Sequence, residues 1–424
     1  MSTGPLSVLH FSTADVLGGS ARSAYRLHTG LRTRGHRSRM LVGYRQSQDP
    51  DVQLSSGRKP LQYVDRIANK ITGFFGYQYL FVPSSLRLAY HPWIREANII
   101  QLFNTHGRYF AQGMLPRLAA RAPLVWRLSD MWPFTGHCAY SGDCTGWLSG
   151  CPRCPKLDSD PPIGRDRAAA LYRMKERLYA KTPMTIVVPS SWMEQQVRKS
   201  SLLSRFPMVR IPNGLKADEY RPSPRHVARQ KLGLPSSALI ILFSAHILDA
   251  NPRKGGDILL QALKILGPKP EWLLLLLGQG GDSWQGQTPI PLFRMGYQSD
   301  PAVMAQCYAA ADVVVIPSVL ENLPNTLIES LACGRVVVAS DCGGMRDGVR
   351  HGVTGLLTKM GDAHLLACSI QQLLEAADRR AAMEHEARLL FEREFTAERE
   401  LDRYESLYSD LYHKHLSAKR QSSQ

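Results

Sequence analysis

Short apolar runs alternate with glycine- or proline-turned stretches of helical period along nearly the whole chain, a pattern that predicts parallel sheets covered by helices on both faces. In the first half, residues 6–11, 39–43, 99–102, 124–128 and 185–189 read as strands. The first of them is followed by Gly18-Gly19 and then by an apolar helical period through Ala24, Leu27 and Leu31 that stops at Gly35. A strand inside residues 207–214 and the breaker-rich Pro222-Ser223-Pro224 separate this set from a second one at 239–244, 272–277, 312–316 and 336–340. The chain has 424 residues, more than the roughly 250–300 at which a single core stops growing. The expectation is therefore two Rossmann-like, doubly wound α/β domains, 1–205 and 206–396, with a C-terminal helical segment and ragged tail over 397–424.

The formal charge is +16, and residues 1–205 hold 28 of the 52 Lys and Arg but only 12 of the 36 Asp and Glu, so the whole excess lies in the first half. A basic half suits acidic partners such as phospholipid, polyprenyl phosphate, nucleic acid or a phosphorylated substrate, although an Arg-rich surface that only keeps the protein soluble is the plainer reading. Nucleic acid ranks lowest and is not expected as a partner, because no zinc-finger, RRM-like or KH-like signature is present. No stretch approaches the ~20 consecutive apolar residues of a membrane span. Met1-Ser2-Thr3-Gly4-Pro5 has neither the basic nor the apolar region of a signal peptide, so a cytoplasmic location is expected.

The strand at 312–316 runs into a Pro/Asn loop and a helix expected to open near Asn325, which puts Glu321 on the loop and Glu329 about one turn inside the helix. Open α/β sheets bind ligands at the carboxyl ends of parallel strands, and the N–H groups at a helix start, here around Asn325 and Thr326, suit phosphate. Two carboxylates beside an anion site fit a ligand rich in hydroxyls and phosphate, such as a nucleotide sugar; in isolation the same pair reads as solvated surface charge. Arg253-Lys254-Gly255 follows the strand at 239–244 and precedes the helical period of Leu259, Leu260 and Leu263. Two cations there would neutralise a diphosphate leaving group, or form an ordinary basic turn. Gly18-Gly19 lets the backbone approach a pyrophosphate, or simply packs tightly.

The run from Pro317 to Gly334, continued by Val336-Val337-Val338-Ala339-Ser340-Asp341-Cys342-Gly343-Gly344 and Gly352-Val353-Thr354-Gly355-Leu356, closely resembles the Glu-x7-Glu region of the retaining glycosyltransferases of family 4, which have the GT-B fold of two Rossmann-like domains facing across a cleft. Arg253-Lys254-Gly255 stands where that family carries the same pattern. The stretches 18–28 and 126–138 are similar to the subgroup that includes the colanic acid and exopolysaccharide transferases. The resemblance implies that Glu321 binds donor-sugar hydroxyls, Glu329 the nucleotide ribose, Arg253 and Lys254 the diphosphate, with Gly18, Gly19, Asn325 and Thr326 completing the donor site. It further implies transfer of a sugar from a nucleoside diphosphate sugar, with retained configuration, to a growing polyprenyl-linked exopolysaccharide or related glycan. No cofactor is required, and the setting would be cytoplasmic and peripheral on the inner face of the cell membrane.

The sequence departs from the family at Ser129, where relatives commonly place a histidine near the reacting sugar; the adjoining Asp130 is retained. His106, at the end of an earlier strand, is a candidate for the neighbouring space or a structural residue. Two other readings stay open: a binding scaffold subunit that has lost turnover, to which Ser129 points, and a phosphorylase or epimerase of the same fold.

Cys138-x5-Cys144-x6-Cys151-x2-Cys154 is the spacing of a structural zinc site, of a redox-labile disulfide loop, or of packing thiols. Cys307, Cys333, Cys342 and Cys368 read as core fillers. Leu61, Val64, Ile67, Ala68, Ile71, Phe74 and Phe75 recur at helical spacing around Arg66 and Lys70. That stripe is either core-facing or an interfacial helix against an anionic membrane surface.

Overall fold

Seven parallel strands form the first sheet: β1 (Ser7–Ala14), β2 (Arg37–Tyr44), β3 (Val52–Leu54), β4 (Ile99–Leu102), β5 (Leu124–Arg127), β6 (Thr185–Val188) and β7 (Met208–Arg210), in the order β3-β2-β1-β4-β5-β6-β7. Every residue of β4, β5 and β6 is buried, which is why their sequences run apolar without alternation: helices cover both faces. Six parallel strands form the second sheet: β8 (Leu239–Ile247), β9 (Trp272–Gln279), β10 (Leu292–Gly296), β11 (Val313–Ile316), β12 (Val337–Ser340) and β13 (Gly355–Thr358), in the order β10-β9-β8-β11-β12-β13. The structure is a computed structural model that describes residues 4–57, 59–88, 90–249 and 251–422. It divides into one unit of Met1–Ile211 with Glu400–Gln424 and another of Pro212–Arg399.

In the first unit, β1 leads through Gly18, which has φ +88°, into α1 (Gly19–Thr33). Ala24, Leu27 and Leu31 of α1 are buried against β1 and β2 and share a core with Leu401, Tyr404 and Tyr408 of the last helix, Ala397–Ser422. Gly30 makes room for this contact, since a Cβ there would stand 2.9 Å from the Leu401 methyls. The Tyr408 hydroxyl donates to Gln101 Oε1 on β4 at 2.9 Å, so a buried polar pair sets where the helix stops sliding.

In the second unit, Asp312 pins the entry to β11: its Oδ2 accepts from Arg229 Nη2 at 2.7 Å and from the Ile240 amide at 2.7 Å. The strand behind it, Val313-Val314-Val315-Ile316, is wholly buried and fixes where the following loop begins.

One sequence expectation changes, and one pair of open alternatives loses its core-facing member. Cys307, Cys333 and Cys342 are buried, but Cys368 is exposed on its helix and fills no core. The stripe of α2 (Lys59–Phe74) does not face the core: Val64, Ile67, Ile71 and Phe74 are exposed, while Asp65 and Asn69 are the buried side.

Truncating a buried aromatic side chain costs about 3–5 kcal/mol. Tyr408→Ala is expected to lose an amount in that range, read as a lower urea midpoint for the first unit; a change under about 1 kcal/mol would mean that the last helix is only loosely attached.

Candidate active site

The strand order of the second sheet reverses between β8 and β11, and the loops leaving two such strands diverge and open a crevice at their carboxyl ends. Both loops carry charge. After β8 the chain makes a single 3-10 turn, Pro252–Lys254, and ends it on Gly255 at φ +70°. A Cβ on Gly255 would lie 2.0 Å from the Pro317 carbonyl oxygen, so the two loops meet only because this residue has no side chain. They are then laced together: the Val319 amide donates to Arg253 O at 3.0 Å, and Arg253 Nη1 donates to Leu320 O at 3.1 Å.

Glu321 sits at the centre of this junction, 6% exposed. Lys254 Nζ donates to its Oε1 at 2.5 Å, Ser318 Oγ donates to the same oxygen at 3.4 Å, and Arg253 Nη1 stands 3.6 Å from Oε2. Burial pushes the Glu321 carboxyl up; Lys254 and then Arg253 outweigh it and hold the group below the usual carboxylate range. A third loop closes the site behind Glu321, where the Gly344 amide donates to the Glu321 carbonyl at 3.2 Å. Gly343, at φ +53°, passes so close that a Cβ would overlap that carbonyl oxygen. Asn325–Ala332 forms the helix that follows, and Glu329 on it is 4% exposed, its Oε2 accepting from Tyr308 Oη at 2.6 Å. Asn325, the first residue of that helix, accepts at Oδ1 from Asn213 Nδ2 at 3.4 Å, and Thr326 follows it. The structure thus gathers Arg253, Lys254 and Glu321 into one cluster and sets Glu329 apart, on the inner side of the helix with Tyr308.

The first sheet reverses between β1 and β4, and there too the loops at the carboxyl ends meet. Ser20 Oγ, just past Gly18-Gly19, is 2.7 Å from Ser129 Oγ after β5 and donates to Asn104 Oδ1 after β4 at 3.0 Å. Arg127 Nη1 donates to Ser129 Oγ at 2.9 Å. Asp130, 5% exposed, accepts at Oδ2 from His106 Nε2 at 2.9 Å and Asn104 Nδ2 at 3.2 Å, and at Oδ1 from the Trp132 amide at 3.0 Å. The chain therefore brings an imidazole to Asp130 from β4, the neighbouring strand, rather than from position 129. Burial lowers the His106 pKa, and Asp130 outweighs it, so the net shift is upward. Gly18 has no atom within 4 Å of the place a Cβ would occupy, so its backbone is open to approach.

Sequence reasoning missed Lys175. It is 1% exposed and donates from Nζ to Trp132 O at 2.5 Å and Thr135 O at 3.0 Å, which holds the turn that follows Asp130; burial lowers its pKa to about 7. The available signal was its place among Leu171, Tyr172 and Tyr179, where a lysine stands at a core position of a helix.

The tetrathiolate expected of Cys138, Cys144, Cys151 and Cys154 is not assembled, because among the described residues no group of three or more His, Cys, Asp or Glu is placed to hold a metal ion. All four are half-buried and outside any disulfide. Two of the thiols serve the loop instead: Cys151 Sγ accepts from the Gly136 amide at 3.2 Å, and Cys154 Sγ pairs with His137 Nε2 at 3.1 Å.

Two parallel-sheet Rossmann-like units of this kind define the GT-B class of α/β proteins. The family model described as Glycosyltransferase Family 4 matches residues 17–219, and that described as Glycosyl transferases group 1 matches residues 238–376. The chain belongs to the family 4 glycosyltransferases. It is similar to the D-inositol 3-phosphate glycosyltransferase of Thermobispora bispora, 34% identical over 186 residues, which are 40% of this chain and 43% of that protein. It is also similar to the Escherichia coli K12 protein named for colanic acid biosynthesis as glycosyl transferase WcaC, 28% identical over 228 residues and 53% of each chain. The chain thus spans about half the length of these relatives. Among solved structures, Anabaena Alr3699/HepE in complex with UDP superposes with a TM-score of 0.64 at 19% identity, over 96% of this chain and 100% of that one.

Breaking a buried ion pair by removing one partner costs about 3 kcal/mol or more. Lys254→Met is expected to lose that much at neutral pH. Glu321 has a lowered pKa when folded, so its pairing stabilises above the usual 4.5 and is lost as pH falls through the folded value; the wild type's lead over the variant should therefore narrow below pH 4.5 in denaturant titrations. A lead independent of pH would assign the loss to packing.

His106 should titrate above 6.5 by NMR and move back down in Asp130→Asn. Because its folded pKa is raised, the pair's contribution is complete below 6.5 and fades as pH rises through the folded value. An unchanged imidazole titration in Asp130→Asn would break the assignment.

Proposed function

We propose that the protein is a retaining glycosyltransferase that moves a sugar from a nucleoside diphosphate sugar to a growing glycan. The observation that carries this reading is the buried Glu321 gripped by Lys254 and Arg253 at the strand-order reversal of the second sheet. In this reading the donor diphosphate lies against Arg253 and Lys254, and the sugar hydroxyls hydrogen-bond to Glu321. The ribose hydroxyls meet Glu329, and Asn325 and Thr326 open the helix towards phosphate. In the first unit the open Gly18-Gly19 backbone suits a phosphate, and Asp130 with His106 offers a carboxylate and an imidazole to a sugar.

The bond that breaks joins the sugar's anomeric carbon to the phosphate oxygen, and its electron pair stays on that oxygen. Arg253 and Lys254 stabilise the charge that develops there, a role for which fixed cations are effective and no bound metal is needed. The acceptor hydroxyl forms the new bond on the same face, and its proton passes to the departing phosphate oxygen, so configuration is retained without a separate enzymic base. Glu321 is already committed to Lys254, which suits it to holding the donor rather than acting as nucleophile.

A uridine nucleotide is the first donor to test, since a fold neighbour was solved with UDP. The acceptor reading, a polyprenyl-linked exopolysaccharide or related glycan made at the inner face of the membrane, draws on the similarity to the WcaC protein. No helix among the described residues is long and apolar enough to cross a membrane, and the attachment we propose is peripheral.

The test is release of nucleoside diphosphate from a panel of nucleotide sugars, with a membrane lipid extract supplying acceptor. We expect release from one donor, stimulated by the extract and reduced about a hundredfold or more in Arg253→Ala, with donor affinity weakened in Glu329→Ala. Donor binding without turnover on any acceptor would favour the non-catalytic scaffold; absence of nucleotide binding would overturn the reading.

A further inference from the structure

Of the twenty large hydrophobic side chains exposed among the described residues, ten lie between Tyr63 and Tyr90. No other stretch of the described surface is comparable, and its centre is α2, which packs with its sides exchanged. The polar residues face inward: Asp65 is 3% exposed and accepts from the Ser84 amide at 3.0 Å, Asn69 is 6% exposed, and Gln62 Nε2 donates to Gly43 O at 3.0 Å. Ile67, Ile71 and Phe74, spaced by four and three residues on one face, are 62%, 57% and 63% exposed. The Asp65–Ser84 bond also fastens the following turn, which exposes Phe81 and Leu86, against the inner side of the helix.

The charge around these residues is predominantly basic. Arg66, Lys70 and Arg87 are exposed among them, and Arg165 lies over the rings of Phe74 and Phe75 at 5.4 and 5.7 Å. Asp65 is the only acidic residue in 59–90, and it is buried. Nearby Asp166 is exposed, but its two oxygens accept from the Cys154 and Ala168 amides.

We propose that this face, α2 with the turn that follows it and Arg165, is a docking surface for an anionic lipid bilayer. Aliphatic and aromatic side chains sink below the headgroups while Arg66, Lys70 and Arg165 stay among the lipid phosphates, the arrangement of a helix lying in the membrane interface. Charge complementarity selects this occupant: a second copy of the chain would set the same cations against each other across a two-fold interface. The proposal gives a partner to the peripheral attachment suggested above, but it rests on α2 and not on the donor site.

The experiment is flotation of the purified full chain with vesicles of phosphatidylcholine alone or mixed with equal phosphatidylglycerol. The wild type should float with the mixed vesicles, less at high salt, and hardly at all with phosphatidylcholine. Ile67→Ser/Ile71→Ser/Phe74→Ser should bind about tenfold more weakly or worse. So should the charge-reversal pair Arg66→Glu/Lys70→Glu, whose side chains are both exposed and whose melting temperature should match the wild type. Failure of the wild type to float, equal flotation of all forms, or a wild-type dimer that the triple variant dissolves would overturn the proposal. Turnover and nucleotide binding are read separately, so docking without transfer, or transfer without docking, identifies which reading has failed.

Discussion

A carboxylate buried at the end of a parallel strand must be paired or protonated, and pairing Glu321 organises much of the second unit around it. Lys254 and Arg253 reach it only because the turn after β8 and the loop after β11 touch, and they touch only because Gly255 leaves no Cβ in the way; Gly343 does the same for the loop after β12, which closes on the Glu321 carbonyl. The strand that carries the loop is fixed in turn by Asp312 with Arg229 and the Ile240 amide. Each contact is modest in isolation, yet the set defines the position of one charged group. Breaking it at any point exposes the same desolvation penalty.

The first unit meets the same geometric opportunity with different chemistry. Its reversal of strand order gathers hydroxyls, an amide, an imidazole and Asp130, with Arg127 as a fixed cation, where the second unit gathers two cations around one carboxylate. The contrast follows from what each loop can afford to bury: a Ser20–Asn104–Ser129 network satisfies itself by hydrogen bonding and needs no counter-charge, whereas Glu321 does. His106 then acts as the partner that keeps Asp130 from being an unpaired buried charge, while retaining an ionisable proton of its own.

The two sheets were legible because their central strands are buried on both faces and therefore write continuous apolar runs into the sequence. Three of the four edge strands, β3, β10 and β13, were not read as strands. Val52–Leu54 is too short to show a pattern, Leu292–Gly296 is only half covered and carries an exposed arginine, and Gly355–Thr358 begins with a glycine that β-propensity disfavours. Glu321, Arg253 and Lys254 were legible from spacing and family resemblance, and they do come together. What spacing could not give was the partner of each side chain across sequence. Tyr308 with Glu329, Lys175 with the carbonyls of residues 132 and 135, and Asn104 with Asp130 are products of topology. The cysteines show the reverse failure, since ligand-like spacing in sequence was answered in the fold by separate hydrogen bonds to Gly136 and His137.

Helical periodicity identifies a face without saying which way it points. In α1 the face of Ala24, Leu27 and Leu31 turns inward because the sheet lies beneath it and small residues allow close approach. In α2 an equally regular face turns outward, and the determinant is on the other side of the helix: Asp65 finds the Ser84 amide and Gln62 finds the Gly43 carbonyl, so the polar side has partners in the unit. Burying a polar side while exposing an apolar one is unfavourable in water, and a folded chain tolerates it where something other than water covers the apolar side. Lys175 makes the complementary point within the same unit, an amine accepted inside because three backbone carbonyls surround it. In both helices the hydrogen-bond partners, rather than the hydropathy pattern, decide what is inside.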